Sequence, residues 1–133
     1  MASIFTRIID REIPGYIVAE DDDFIAFLDV RPMVEGHTLC VPKREVDYYY
    51  DLTDPELTAL TLFSKRVATG LKAAVPCRRI ANGVLGLEVP HAHLHLVPIR
   101  NEGDFRFGKV ADVPTERMAE LRDRIAAAID LAG

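Results

Sequence analysis

The sequence predicts an α+β domain built on an antiparallel sheet, and three observations support this fold class. Short apolar runs with the alternation of β-strands follow one another through turn sequences, which is typical of hairpin-connected strands. Segments with helical periodicity are inserted between these strands and after them. A chain of 133 residues, 49% hydrophobic and 28% charged, is suited to one domain over residues 1–133 that buries its own core.

The N-terminal part is expected to hold one short helix and three strands. Ser3 can cap a helix that runs to about Arg11 and ends before the Pro14-Gly15 pair. After this pair the hydrophobic period changes to that of β-structure. The predicted strands are Tyr16 to Ala19 and Phe24 to Leu28, joined by an acidic turn as a hairpin, and then His37 to Val41.

The longest predicted helix runs from about residue 54 to 74. Thr53 and Glu56 have capping-box spacing with Pro55 between them, and Pro76 ends the helical pattern. Leu62 falls off the predicted core face, and so does Phe63. The face itself is predicted to contain Leu57, Leu60, Ser64, Val67 and Leu71.

Two strands and a helix complete the predicted elements. The strands are Arg78 to Ala81 and His91 to Pro98. Pro114 then opens a terminal helix. Its apolar face is expected to contain Met118, Leu121, Ile125 and Ile129.

The two large apolar residues beside the helix face, Leu62 and Phe63, predict an assembly. Left exposed side by side they favour association, so we expect a two-fold homodimer. In it this helix and the edge strand that starts near Arg78 meet their symmetry mates. The alternative is that the loop of residues 48–50, Tyr-Tyr-Tyr, covers both side chains within one chain.

Composition limits the function classes. A net charge of −5 argues against general binding of nucleic acid, although it leaves room for a small phosphorylated ligand. No run of 18 apolar residues and no signal peptide is found, so we expect no membrane association and a cytoplasmic location. Cys40 and Cys77 are interpreted as reduced thiols.

The most informative motif is HAHLHLV, residues 91–97. On a strand, His91, His93 and His95 point to one face, while the intervening apolar residues point to the core. Coincidence on an exposed strand is one interpretation. A zinc site is a second, but residues i and i+4 lie about 13 Å apart, so a further ligand such as His37 would be needed. The third is nucleophilic catalysis, with His93 in the middle as nucleophile.

HAHLHLV fits the His-φ-His-φ-His-φ-φ motif (φ apolar) of the histidine triad (HIT) family, and the chain resembles its Hint-type nucleotide hydrolases. The similar segments are SIFTRIIDREIP, FIAFLDVRP, GHTLCVPK and GLEVPHAHLHLVPI. The resemblance implies a five-stranded antiparallel sheet with helices, extended across a homodimer to ten strands. It also implies attack on the α-phosphate of a nucleotide conjugate, a covalent nucleotidyl-histidine and release of a nucleoside monophosphate.

The resemblance also implies roles for the four histidines. His93 matches the nucleophile, and His95 matches the histidine that contacts the phosphate and assists the leaving group. His91 matches the orienting member of the triad. His37 matches a fourth histidine that these enzymes hold near the active site.

Further positions match substrate contacts in the family. Asp29 matches the carboxylate that accepts from the ribose hydroxyls, or it is an aspartate that caps the turn before Arg31. Asn82 matches a donor to the phosphate or leaving group. The apolar slot for the base is matched by Phe5, Ile8 and Phe27, which are otherwise plain core residues.

The chain departs from the family pattern in two places. Many relatives carry cysteines of a structural zinc site in the opening helix, where this chain has Ser3 and Thr6, so no zinc is expected there. In the loop before the triad, Leu87 and Glu88 replace a polar pair, and a carboxylate beside a phosphate is repulsive unless it points away or is protonated.

The sequence therefore predicts a hydrolase of nucleotide conjugates, of the purine nucleoside phosphoramidate or dinucleotide type, that needs no cofactor. Two alternatives stay open. The first is a nucleotide-binding or partner-binding module on the same fold with little turnover, which the altered loop suggests. The second is a metal-dependent hydrolase.

Overall fold

A five-stranded antiparallel sheet organises the computed structural model, which describes all 133 residues, and the predicted fold class is confirmed. The strands are β1 (Ile17–Glu20), β2 (Phe24–Leu28), β3 (Thr38–Pro42), β4 (Arg79–Gly83) and β5 (Leu94–Ile99). They lie in the order β1-β2-β3-β5-β4, so β1 and β4 form the two edges. The helices are α1 (Ile4–Ile9), α2 (Asp54–Ala74) and α3 (Thr115–Ala128). None of them is both long and apolar enough to cross a membrane.

The predicted helix starts are confirmed by their caps. The Ser3 hydroxyl accepts from the amide of Thr6 at 3.1 Å and begins α1. At α2 the Thr53 hydroxyl accepts from the amide of Glu56 at 3.3 Å, and the Glu56 carboxylate accepts from the amide of Thr53 at 3.0 Å. Helix α1 ends at Ile9 rather than near Arg11, because Arg11 lies in the left-handed region with a φ of 61°.

The two faces of the sheet carry different layers. The larger core lies between one face and helices α2 and α3, and contains Ala26, Cys40, Leu94 and Leu96 from the strands. The smaller core lies on the other face beneath α1. It contains Phe5, Ile8, Ile25, Phe27, Leu39 and Val41. Both cysteines are free, as predicted.

The buried stripe of α2 is wider than the sequence pattern indicated. Phe63, predicted to lie off the core face, is only 3% exposed, and its ring packs against Phe24 with the centroids 5.5 Å apart. The sheet covers a stripe with i, i+3, i+4 spacing, whereas Leu57 is only half-buried. The buried residues of α2 are Leu60, Phe63, Ser64, Val67, Gly70 and Leu71. Leu62 remains 47% exposed, as predicted.

Phe24 covers the ring of Phe63, and of the three tyrosines only Tyr49 packs against the same core. Tyr48 and Tyr50 are themselves well exposed. They lie across a cleft from Val84 and Leu85, next to the end of edge strand β4. An exposed apolar surface therefore surrounds this end of the sheet.

Phe63 is buried and its neighbour Leu62 is exposed, and this difference leads to a prediction about stability. Replacing Phe63 by alanine opens a cavity against Phe24 and should lower the free energy of unfolding by about 3 to 5 kcal/mol. The matched change Leu62→Ala removes an exposed side chain and should alter it by at most about 0.5 kcal/mol. Urea denaturation of both variants measures the difference, and equal losses would contradict the burial described here.

Candidate active site

A cavity of about 220 Å³ opens on the α1 face of the sheet, and three histidines line it. They are His37, which precedes β3, His93, which precedes β5, and His95 within β5. Asp29, directly after β2, lies on the same wall. A larger cleft of about 360 Å³ beside the tyrosines contains no histidine, so the cavity with the imidazoles is the better candidate for chemistry.

The triad occupies one face, as predicted, although the strand begins later than expected. His91, His93 and His95 are all buried, and the rings of His93 and His95 lie 4.9 Å apart. Ala92 and Leu94 point into the larger core on the opposite face. Only His95 belongs to β5, whose first residue is Leu94 instead of the predicted His91.

Pro42 gives the physical reason for the late start of β5. The ladder between β3 and β5 ends at the pair Cys40 and Leu94. Two residues further along β3, Pro42 has no amide hydrogen to continue it. Its carbonyl instead accepts from Nε2 of His91 at 2.7 Å, and the amide of Ala92 donates to the carbonyl of Val46.

A main-chain carbonyl fixes the tautomer of His93. Nδ1 of His93 lies 2.7 Å from the carbonyl oxygen of His91, which can only accept, so we assign the proton to Nδ1. Nε2 then carries the lone pair. Because His93 lines the cavity, this unprotonated nitrogen has the lone pair that a nucleophile needs.

A main-chain amide fixes the tautomer of His37, and His37 in turn fixes the tautomer of His95. The amide of Met33 donates to Nδ1 of His37 at 2.9 Å, so the proton of neutral His37 lies on Nε2. That nitrogen is 2.9 Å from Nδ1 of His95 and donates to it. The proton of His95 is therefore on Nε2, which makes His95 a hydrogen-bond donor in the cavity.

Burial keeps these imidazoles neutral. It is the main reason that the pKa of His37 falls to about 3 and that of His95 to about 4, with smaller contributions from neighbouring imidazoles. Burial also lowers the pKa of His93 and of His91, although their hydrogen bonds to carbonyls partly offset it. At neutral pH all four rings are uncharged, as a nucleophilic imidazole requires.

His91 is tied to the opening helix through a polar cluster. The hydroxyl of Ser3 donates to Nδ1 of His91 at 2.7 Å. Glu45 accepts from the Ser3 amide at 2.7 Å and from the Thr6 hydroxyl at 2.6 Å, and these bonds lower the pKa of Glu45 to about 2. Ser3 and Thr6, considered above as positions of a zinc site in relatives, thus anchor α1 to the triad through hydrogen bonds.

One group of side chains is close enough together to hold a metal ion. It contains Asp29, His37 and His95, and one donor atom of each lies within 4.8 Å of the others. The tautomers oppose this use. A neutral imidazole ligand needs a free lone pair, and Nε2 of His37 carries a proton because Nδ1 already accepts from Met33. The donor set therefore fits a hydrogen-bonded chain better than a divalent cation.

The turn-capping interpretation of Asp29 is confirmed, and its role towards a ribose stays a prediction. Its Oδ1 accepts from the amide of Arg31 at 2.9 Å, as a turn-capping aspartate does. The other oxygen lies 3.7 Å from Nε2 of His37 at the cavity wall. Burial raises the pKa of Asp29, and the nearby charge of Glu88 raises it further, against the opposing effect of the Arg31 amide.

The expected base slot is only partly in contact with the cavity. Phe5 lines it, whereas Ile8 and Phe27 lie behind as core, with the rings of Phe5 and Phe27 5.3 Å apart. Sequence reasoning missed most of the apolar wall, because its members come from irregular segments or read as plain core. The missed residues are Ile4, Val30, Met33, Leu39, Val89, Phe107 and Val110.

Asn82 is not brought into the cavity. It pairs with Leu96 in the register of β4 and β5, which places it towards the helix-covered face, and it is exposed. The neighbouring pair, Gly83 with His95, faces the site. Glu88 does line the cavity, whereas Leu87 points outward and is 83% exposed.

Comparison with known proteins gives one family. A family model described as HIT domain matches residues 10–102. An uncharacterised HIT-like protein of Methanocaldococcus jannaschii is 38% identical over 122 residues, which cover 86% of this chain and 94% of that protein. The adenosine 5′-monophosphoramidase of Saccharomyces cerevisiae is 38% identical over 102 residues, covering 76% of this chain and 65% of the relative.

Solved structures agree with the sequence matches. A histidine triad nucleotide-binding protein of Sulfolobus tokodaii, described as hypothetical, has a TM-score of 0.83 at 29% identity, with 93% of this chain and 89% of that chain covered. A zinc-bound histidine triad family protein of Mycobacterium smegmatis has a TM-score of 0.82 at 26% identity. Here 99% of this chain and 94% of the other are covered.

The tautomers make a spectroscopic prediction. In ¹⁵N-resolved NMR of the imidazoles at pH 7, His93 should be protonated at Nδ1, while His37 and His95 are protonated at Nε2. Because burial lowers their pKa values, the rings of His37 and His95 should stay neutral at pH 5, where an ordinary histidine is charged. Protonation of His93 at Nε2 would contradict the assignment.

Proposed function

This chain belongs to the HIT domain family, and on that premise we propose that it hydrolyses nucleotide conjugates through a histidine nucleophile. The substrate class is a purine nucleoside phosphoramidate or a related conjugate, and the product is a nucleoside monophosphate. A relative described as an adenosine 5′-monophosphoramidase supports this class. The observation that carries the proposal is a buried, neutral His93 whose unprotonated Nε2 belongs to a cavity wall.

The first chemical step uses His93. Its Nε2 attacks the α-phosphorus, so that a phosphorus–nitrogen bond forms as the bond to the leaving group breaks, and the leaving group takes the Nε2 proton of His95. The attacking ring gains positive charge, and the hydrogen bond from Nδ1 to the carbonyl of His91 stabilises that charge. Water then attacks phosphorus and breaks the new bond: one proton of the water returns to Nε2 of His95, and the nucleoside monophosphate is released with the neutral imidazole of His93.

The other groups of the cavity bind and orient the substrate. His95 donates its Nε2 proton in a hydrogen bond to the leaving group or to a phosphate oxygen, and His37 holds this tautomer. Asp29, at the end of β2, accepts from the ribose hydroxyls. A flat base packs on the apolar wall around Phe5, which Phe27 supports from behind.

The position of Glu88 favours a second function, a binding module with little turnover. Glu88 lines the cavity, and its negative charge is close enough to His93 to oppose the lowering of the His93 pKa by burial. A carboxylate near the reacting phosphate repels it, and Asn82 lies outside the cavity and cannot compensate. A binding module with little turnover would share this cavity, and the activity assay below separates the two.

The nucleophile is tested by replacement. His93→Ala should lower the rate of release of adenosine monophosphate from an adenosine phosphoramidate by at least about a thousandfold, because the covalent step is lost. A metal chelator should not change the rate of the native protein. Cys77→Ala, at a half-exposed free cysteine outside the cavity, serves as the matched control and should keep full activity.

Rapid quenching of the native protein should in addition capture a nucleotidyl-enzyme by intact-mass measurement. Unchanged turnover in His93→Ala would refute the proposed nucleophile. Tight binding of adenosine monophosphate without turnover of any conjugate would instead support the binding module.

We also propose a homodimer through the β4 edge. The sequence argument relied on two exposed residues of α2, and it is weaker now because Phe63 is buried within one chain and only Leu62 stays exposed. A different reason supports the dimer, since β4 is an edge strand with no partner on its outer side. The exposed apolar side chains near it are Tyr48, Tyr50, Val84, Leu85 and Leu87. Pairing of two β4 strands would extend the sheet and cover this surface.

Light scattering decides the assembly. We expect the mass of two chains, or twice 14.8 kDa, at micromolar concentration. A charged substitution in the exposed apolar surface, Leu85→Glu, should shift the protein towards the mass of one chain. The matched change Val110→Glu, at an exposed apolar residue of the cavity wall, should not. A native mass of one chain that persists after tenfold concentration would refute the dimer.

A further inference from the structure

A segment beyond the family match forms one wall of the candidate active site. The HIT domain model ends at residue 102, whereas residues 107–110 line the cavity together with His93 and His95. The segment lies between β5 and α3 and has no regular secondary structure at these positions. The family model therefore does not describe the contribution of this segment to the site.

Two aromatic rings hold the segment against the sheet. Phe105 packs on Gly83, where an added Cβ would come within 2.8 Å of the ring. Phe107 contacts Phe105 with the centroids 5.5 Å apart, and it meets the ring of His95 edge-on at 5.0 Å. Gly83 faces the site because it pairs with His95. The segment is thus fixed at the donor histidine of the cavity.

The backbone fixes the next residues. Gly108 has a φ of 93°, a conformation that favours glycine, and the amide of Lys109 donates to the carbonyl of Arg106 at 3.1 Å to close this turn. Two residues later the amide of Ala111 donates to the carbonyl of Pro32 at 2.7 Å. Lys109 is therefore presented to the cavity by a turn that is anchored on both sides.

The charges around the cavity show what Lys109 can do there. Four charged side chains line it, two acidic (Asp29 and Glu88) and two basic (Arg31 and Lys109). Arg31 lies beside Asp29, which accepts from the Arg31 amide. Lys109 lies two residues from Phe107, whose ring meets that of His95. It is the cation of the segment that packs against the donor histidine of the cavity.

The ammonium group of Lys109 is held loosely. Its ion-pair partner is Oδ1 of Asp104 at 3.7 Å, a long contact. The other oxygen of Asp104 is already occupied, since it accepts from the amides of Arg100 and Asn101 at 2.8 and 3.3 Å. An ammonium has three donors, so the contact with Asp104 leaves two of them for a further acceptor.

We propose that Lys109 is a phosphate-binding residue of this site, supplying the cationic donor that the segment before the triad, with Leu87 and Glu88, does not provide. The inference rests on the proposed function, because the phosphate is that of the bound nucleotide. It extends the binding site past the matched family region into the turn that Phe107 holds against His95.

The test compares a ligand that has the phosphate with one that lacks it. Adenosine monophosphate and adenosine are titrated into ¹⁵N-labelled native protein and into Lys109→Met and Lys109→Arg. Lys109→Met should weaken binding of the monophosphate about tenfold, since one charge-assisted hydrogen bond is lost, and should leave adenosine affinity unchanged. Lys109→Arg should restore most of the difference. Lys43→Met, which removes a cation paired with Glu20 outside the cavity, should change neither affinity.

The ratio of the two affinities separates a phosphate contact from a general disturbance, because a structural change would alter adenosine binding as well. Lys109→Gln repeats the test if the methionine variant does not give a folded spectrum. An unchanged ratio in the neutral variant would overturn the role of Lys109 and leave the proposed hydrolase intact. Native protein that binds the monophosphate no better than adenosine and releases none from a conjugate would overturn both.

Discussion

The need to satisfy the buried nitrogens of neutral imidazoles governs the arrangement of this site. An imidazole nitrogen taken out of water must find a hydrogen-bond partner or cost stability. Main-chain groups meet this need, as the carbonyls of Pro42 and His91 accept and the amide of Met33 donates. A carbonyl can only accept a hydrogen bond, and an amide N–H can only donate one. The backbone thereby decides which nitrogen carries the proton in His93 and, through His37, in His95.

The rest of the fold can be understood as the means of bringing these partners together. The end of β3 supplies one carbonyl, the segment between β2 and β3 supplies the amide, and α1 supplies the hydroxyl that completes His91. The opposite face of the sheet is packed by α2 and α3, which makes the strands rigid. A site built on such strands holds its geometry better than one built on loops alone.

Much of this was predictable from sequence, and the failures have local physical causes. Period-two alternation predicted the two faces of the triad, and the capping residues predicted the helix starts, because both signals act over a few residues. Burial of Phe63 depends on the width of the sheet beneath α2, which no helical pattern contains. The late start of β5 depends on Pro42, its neighbour in space. Lys109 lies in a segment without periodicity, so only the fold shows its place.

The contact between His37 and His95 spans 58 positions of the chain. Closing so long a loop costs more conformational entropy than forming a helix or a hairpin from nearby residues. Contacts between residues this far apart in sequence therefore form late in folding. The neighbouring units, the hairpin of β1 with β2 and the long helix, can form from nearby residues. The donor tautomer of His95 therefore exists only after the central pair of strands has joined. A partly folded chain lacks it, so the proposed hydrolysis would report the completed fold and not its early stages.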